Sequence, residues 1–242
     1  VGEPVRYQVA GALVAQTALL SVLAATVGLG LWAWSAGIAH AVVGAVLLLW
    51  SARRSGRRRL GVADGITLTR AVLGGGVLAL AVDGGAVWTL VALAAVALAL
   101  DLVDGAAARR SGTESGFGAA FDMETDALLI LVLSAFVALT LGPWVLVIGL
   151  MRYAFGAAAW LAPWLRGPLP PSRARKAVAA VQGAVLVVAA AEVLSAVVAT
   201  VLVASALAAL AWSFGRDVLG LWSAARPRAA RAPRPVSASA RT

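Results

Sequence analysis

The chain has 242 residues, 62% of them hydrophobic and only 13% charged, with a mean hydropathy of +0.92. An ordinary soluble domain is about half apolar and about a quarter charged, so a water-soluble fold of this length could not hide so much apolar surface, and the bilayer is its natural solvent. The absence of Cys excludes disulfides, thiolate catalysis and Cys-based zinc sites, and a lone His40 excludes a His-rich metal site or a Ser-His-Asp triad within one chain.

Apolar runs of about 20 residues predict eight helices, over 7–34, 37–52, 66–82, 86–109, 117–141, 143–165, 175–193 and 196–222. The expected fold class is therefore all-α, a polytopic transmembrane helical bundle. The first run is too long for a signal-peptide core and leads straight into another apolar run, so it reads as a membrane helix. A net charge of +9 would suit nucleic acid, but Arg and Lys fall in short clusters between the spans, where anionic lipid headgroups meet them. No nucleic-acid partner is expected. Arg6, the cluster Arg53 to Arg59, Arg109 and Arg110, the group Arg166 to Lys176 and the arginines after 225 all fall on one side of an eight-helix threading. The opposite connections, around Ser35-Ala36-Gly37, Asp83-Gly84-Gly85, Leu141-Gly142-Pro143 and Leu194-Ser195, contain no Lys or Arg. The positive-inside rule then puts both termini in the cytoplasm. Trp32, Trp34, Trp88 and Trp144 mark the outer ends and Trp50, Trp164 and Trp222 the inner ends, as an aromatic belt would. The Arg-Pro and Ser-Ala pattern of 225–242 reads as a disordered, lipid-attracted tail.

The chemistry is concentrated in one block, DLVDGAAARRSGTESGFGAAFDMETD, over 101–126. Asp101 and Asp104 are three apart on the fourth span, and Asp122 and Asp126 four apart on the fifth, so each pair shares a helix face. A short connection makes the two helices antiparallel neighbours with all four acids near the cytoplasmic surface. An acid at a helix centre in lipid costs roughly 2.5–3.5 kcal/mol, which predicts that these side chains face inward. Four clustered carboxylates repel, and hard divalent cations such as Mg²⁺ or Mn²⁺ relieve that repulsion. A pair of such ions suits a diphosphate substrate.

These residues resemble the CDP-alcohol phosphotransferases, whose pattern D-x2-D-G-x2-A-R-x8-G-x3-D-x3-D is matched here by Asp101, Asp104, Gly105, Ala108, Arg109, Gly118, Asp122 and Asp126 at every fixed position and spacing. The resemblance implies a six-helix core over 64–224, with residues 1–63 adding two N-terminal helices and a basic connector. It implies that Asp101, Asp104 and Asp122 ligate two divalent ions, with Asp126 near them as general base. Gly105, Ala108, Arg109 and Gly118 would meet the donor nucleotide. The implied reaction moves a phosphatidyl or similar phospho-alkyl group from CDP-diacylglycerol or a related CDP-alcohol to a small or lipid alcohol, releasing CMP, in phospholipid biosynthesis at the cytoplasmic membrane. Homodimers are common in the family. The N-x-x-T-x-x-R stretch that opens the family's first core helix appears here as Asp64 to Arg70, with Asp64 in place of Asn and with Thr67 and Arg70 matching.

Other polar residues carry two readings each. Arg152, about nine residues into the sixth span, binds an anionic acceptor headgroup or pairs with an inward acid. Arg173, Arg175 and Lys176 bind a phosphorylated acceptor or only set topology. Glu124 points off the motif face, towards another helix or the interface. His40 and Glu192 read as outer-interface residues, and Gly74-Gly75-Gly76 as a close helix contact. Two rival functions are an ion- or proton-coupled transporter, disfavoured by acids confined to one end and no inverted repeat, and a prenyltransferase, whose Asp motifs lie far apart in sequence. A third reading, an inactive member that keeps the fold for binding, sits poorly with an intact motif.

Overall fold

The computed structural model describes residues 4–56, 60–111, 116–167 and 172–225, with 102–111 and 173 described by their backbone alone. The predicted tail and connector residues 57–59 lie outside that description. The described chain is all-helical: α1 Val5–Val27, α2 Leu31–Arg54, α3 Val62–Asp83, α4 Val87–Ser111, α5 Gly116–Leu141, α6 Leu146–Leu161, α7 Arg173–Ala190 and α8 Ala196–Ala225, with short 3-10 turns at Pro143–Val145 and Pro163–Arg166. Six stretches, α1, α2, α3, α5, α6 with its leading turn, and α8, are long and apolar enough to cross a membrane. Within α4, Val87–Leu100 carries no charged residue, and Asp101 is the first.

The eight helices are the expected ones, but the first break is not. The chain turns at Gly28-Leu29-Gly30 instead of at Ser35-Ala36-Gly37. Gly28 takes a left-handed φ of 75°, which a residue without Cβ adopts at no steric cost, and the Gly30 N–H donates to Asp83 Oδ1 at 2.9 Å. A carboxylate at the end of α3 thus caps the start of α2. Trp32 and Trp34 fall in the first turn of α2, whereas His40 moves nine residues, about 13 Å, into the helix. It is therefore no interface residue; it bonds Ala71 O of α3 through Nε2 at 3.0 Å.

Helix α3 is the centre of the bundle. It packs against α1, α2, α4 and α5, and is the most buried of the six membrane-suited helices. Its glycines explain how: a Cβ on Gly75 would lie 2.4 Å from Gln16 Oε1, and one on Gly76 2.9 Å from Leu19, both on α1. The expected glycine contact is thus a seam with the first helix. The main core joins Leu23 of α1 to Val77, Leu80, Leu133, Leu186 and Val203, so the N-terminal helices share one interior with the rest.

The same close packing joins α5 to α6, where a Cβ on Gly149 would fall 2.6 Å from Leu131 Cα. Because backbone cannot step aside as a side-chain tip can, Gly149→Val is expected to lower stability by about 1–3 kcal/mol. Thermal unfolding of the detergent-purified protein checks this, and an unchanged midpoint would contradict the packing described.

Candidate active site

Three helices converge on Arg70. Its guanidinium, 1% exposed, lies between α3, α4 and α5. Nε donates to Ala97 O of α4 at 3.2 Å. Nη1 meets Asp101 Oδ1 at 2.9 Å and Asp122 Oδ1 at 2.5 Å, while Nη2 donates to Asp126 Oδ1. The local sequence explains each placement. Asp101 is the first charged residue of α4, and Asp122 and Asp126 stack one turn apart on α5. Gly118 precedes Asp122 by one further turn on the same face, leaving that face without a side chain at its mouth.

The electrostatics of the cluster follow from counting. Among the described residues, three carboxylates share one guanidinium, and one oxygen from each lies within 4.8 Å of the others. Charges that close repel by about 1 kcal/mol per pair even in bulk water, and by more at a partly buried site. Oxygens on opposite sides of a Mg²⁺ ion at about 2.1 Å stand about 4.2 Å apart. Hard donors, their spacing and the local excess of negative charge all fit a divalent cation.

Before this cluster, the chain uses an acid for a different purpose. Asp64 is buried in the first turn of α3, and its Oδ2 accepts the Gly61 N–H at 2.9 Å. An asparagine oxygen could accept the same bond, so the Asp-for-Asn departure preserves the start of the helix that carries Arg70.

A family model for CDP-alcohol phosphatidyltransferase matches residues 60–215, well over half of the chain. The chain belongs to this family. Searches of curated proteins and of solved structures return no match. A CDP-alcohol phosphatidyltransferase is a transferase that moves a phospho-group from a CDP-alcohol to an alcohol acceptor, and its class is generally dependent on divalent metal.

Of the family motif, the structure brings Asp101, Asp122 and Asp126 together. Asp104, Gly105, Ala108 and Arg109 continue α4 by their backbone, and their side chains lie outside the described residues, as does that of Arg173. Arg152 of α6 pairs with Glu124 of α5 and sets Nη1 2.8 Å from Met123 Sδ. Glu124 accordingly turns to another helix, as its position two residues from each motif acid predicts. Arg175 reaches Asp217 of α8 at 2.9 Å, tying α7 to α8, while Lys176 is exposed. Two members of these contacts carried no assigned role in the sequence. Arg70 was visible only as a matching letter in a motif. Asp217 beside Arg216, two charges in an otherwise apolar span, was a signal of the same kind.

The cluster of acids is thus held together by Arg70. With a chelator present, Arg70→Gln is expected to lower the thermal midpoint, because removing one partner from a buried ionic cluster commonly costs about 3–5 kcal/mol. Adding Mg²⁺ or Mn²⁺ should recover part of the loss. A midpoint insensitive to both the substitution and the cation would show that the cluster is not a cation site.

Proposed function

We propose that this protein transfers a phosphatidyl or similar phospho-alkyl group from CDP-diacylglycerol, or a related CDP-alcohol, to an acceptor alcohol with release of CMP, as a step of phospholipid biosynthesis. The observation that carries this reading is the convergence of Asp101, Asp122 and Asp126 around Arg70, in a chain of this family. Asp126 takes the proton of the acceptor hydroxyl. The hydroxyl oxygen attacks the β-phosphorus of the donor, the bond from that phosphorus to the bridging oxygen breaks, and CMP leaves with the electron pair. Arg70 is a positioning residue: by bonding Oδ1 of each acid it fixes the direction of the Asp126 carboxylate. Asp101, Asp104, Asp122 and Asp126 would hold two Mg²⁺ or Mn²⁺ ions, which when bound neutralise the diphosphate and the charge developing on CMP. Gly105, Ala108, Arg109 and Gly118 serve the nucleotide, the glycines by allowing close approach.

In this reading residues 64–224 are the catalytic core, and the arginine-rich connections face the cytoplasm, so the site opens to the cytoplasmic side of the cell membrane. An anionic or phosphorylated acceptor would meet Arg173, Arg175 and Lys176 at the start of α7, with Arg152 further in. The ion pair from Arg175 to Asp217 supports a fixed geometry for that basic group.

CMP release by purified protein, with CDP-diacylglycerol, Mg²⁺ or Mn²⁺ and a panel of acceptors, tests the reaction. Turnover should require the cation, and Asp126→Asn should lower it by about 10²–10⁴, the usual worth of a general base. Undiminished release by that variant would remove Asp126 from the role. Separately, Arg175→Ala should raise KM for a phosphorylated acceptor more than for a neutral one. Equal effects on the two would leave Arg175 a purely structural tie.

A further inference from the structure

A cavity of about 220 Å³ lies between α2, α3 and α5, beside the aspartates and outside their cluster. Its volume exceeds the roughly 150 Å³ of an apolar cavity that binds benzene. Leu47 of α2, Leu78 of α3 and Leu128 and Val132 of α5 line its length, while Ser51 and Glu124 lie towards the end where α2 finishes and α5 begins. Along α2 the lining runs from His40 to Ser51, about 16 Å at the helical rise, close to the hydrocarbon depth of one leaflet.

Two glycines keep this space open. A Cβ built on Gly44 of α2 or on Gly74 of α3 meets nothing within 4 Å, although Gly74 is buried. In a well-packed interior a buried position facing a void forfeits dispersion contacts, so an occupant is the expected partner of such a gap. The bond from His40 to Ala71 O pins the α2 wall to α3 beside that gap. The cavity also shares two turns of α5 with the site: Phe121 and Thr125 line it, and their chain neighbours Asp122 and Asp126 belong to the cluster on Arg70.

We propose that this cleft receives one hydrocarbon chain of the lipid donor, and that α2 serves the enzyme by walling it. The inference rests on the donor being a CDP-activated lipid, as proposed above. A diphosphate at the aspartates places the lipid backbone at the polar end of the cleft, with the chain running along α5 into the apolar end. Fit within a fixed volume selects the donor by chain length, and a larger side chain at Gly44 or Gly74 takes the same volume as chain methylenes.

Two measurements test this. CDP-diacylglycerol carrying a photoactivatable diazirine in mid-chain should label α2 between 40 and 51 in the full-length protein, whether or not turnover follows. Labelling that misses α2, or equal labelling of α2 by a phosphatidylcholine probe of the same chain, would overturn the proposal. For CMP release, Gly44→Leu and Gly74→Leu should lower the preference for long-chain over short-chain donors, because the added side chain occupies the space of chain methylenes. An unchanged ratio would overturn it as well. If α2 is labelled but the wild-type protein releases no CMP with any acceptor, the chain site stands and the reaction assignment falls.

Discussion

Everything near the site depends on one guanidinium placed where lipid-exposed charge would be costly. Arg70 is enclosed by helices, and among the described residues four acceptors on two neighbouring helices surround it: one main-chain carbonyl and three carboxylates. The arrangement works in both directions. Acids alone at this depth would repel one another, and an arginine alone would lack compensation for its lost hydration. Because Arg is planar and carries five donors, it can meet partners from two helices at once, which a lysine point charge could not do with the same fixed geometry. The central place of α3 follows from this, since the helix that carries Arg70 must touch both helices that carry the acids.

Small residues make that central place possible. The glycine run of α3 admits α1 to close contact on one face, while Gly74 leaves room on another. Across the bundle, Gly149 brings α6 onto the backbone of α5, and Arg152 with Glu124 adds a polar tie between the same two helices. In lipid there is little hydrophobic gain from joining two apolar surfaces, so shape and a few polar ties decide which helices meet.

The parts of this protein that could be read from the chain are those encoded locally. Apolar run lengths, arginine clustering and the spacing of Asp101, Asp104, Asp122 and Asp126 gave the helices, the expected sidedness and the motif, since each is a property of neighbouring residues. Features set by contacts between distant segments were harder to see. The first break was expected at Ser35-Ala36-Gly37 but falls at Gly28-Leu29-Gly30, where Gly30 bonds Asp83, more than fifty residues away. His40 was misplaced for the same reason, its position depending on where that break falls. Arg70 matched a pattern, but only the fold puts three acids around it.

The hydrogen bond from Gly30 to Asp83 has a mechanical meaning of its own. It links the turn after α1 to the end of α3, two points that the chain connects only through the whole of α2 and α3. The bond joins α1, α2 and α3 at this end of the bundle, in addition to their packing along their lengths. Since α3 also carries Arg70, the helix that gathers the acids is the one to which the N-terminal pair is fastened.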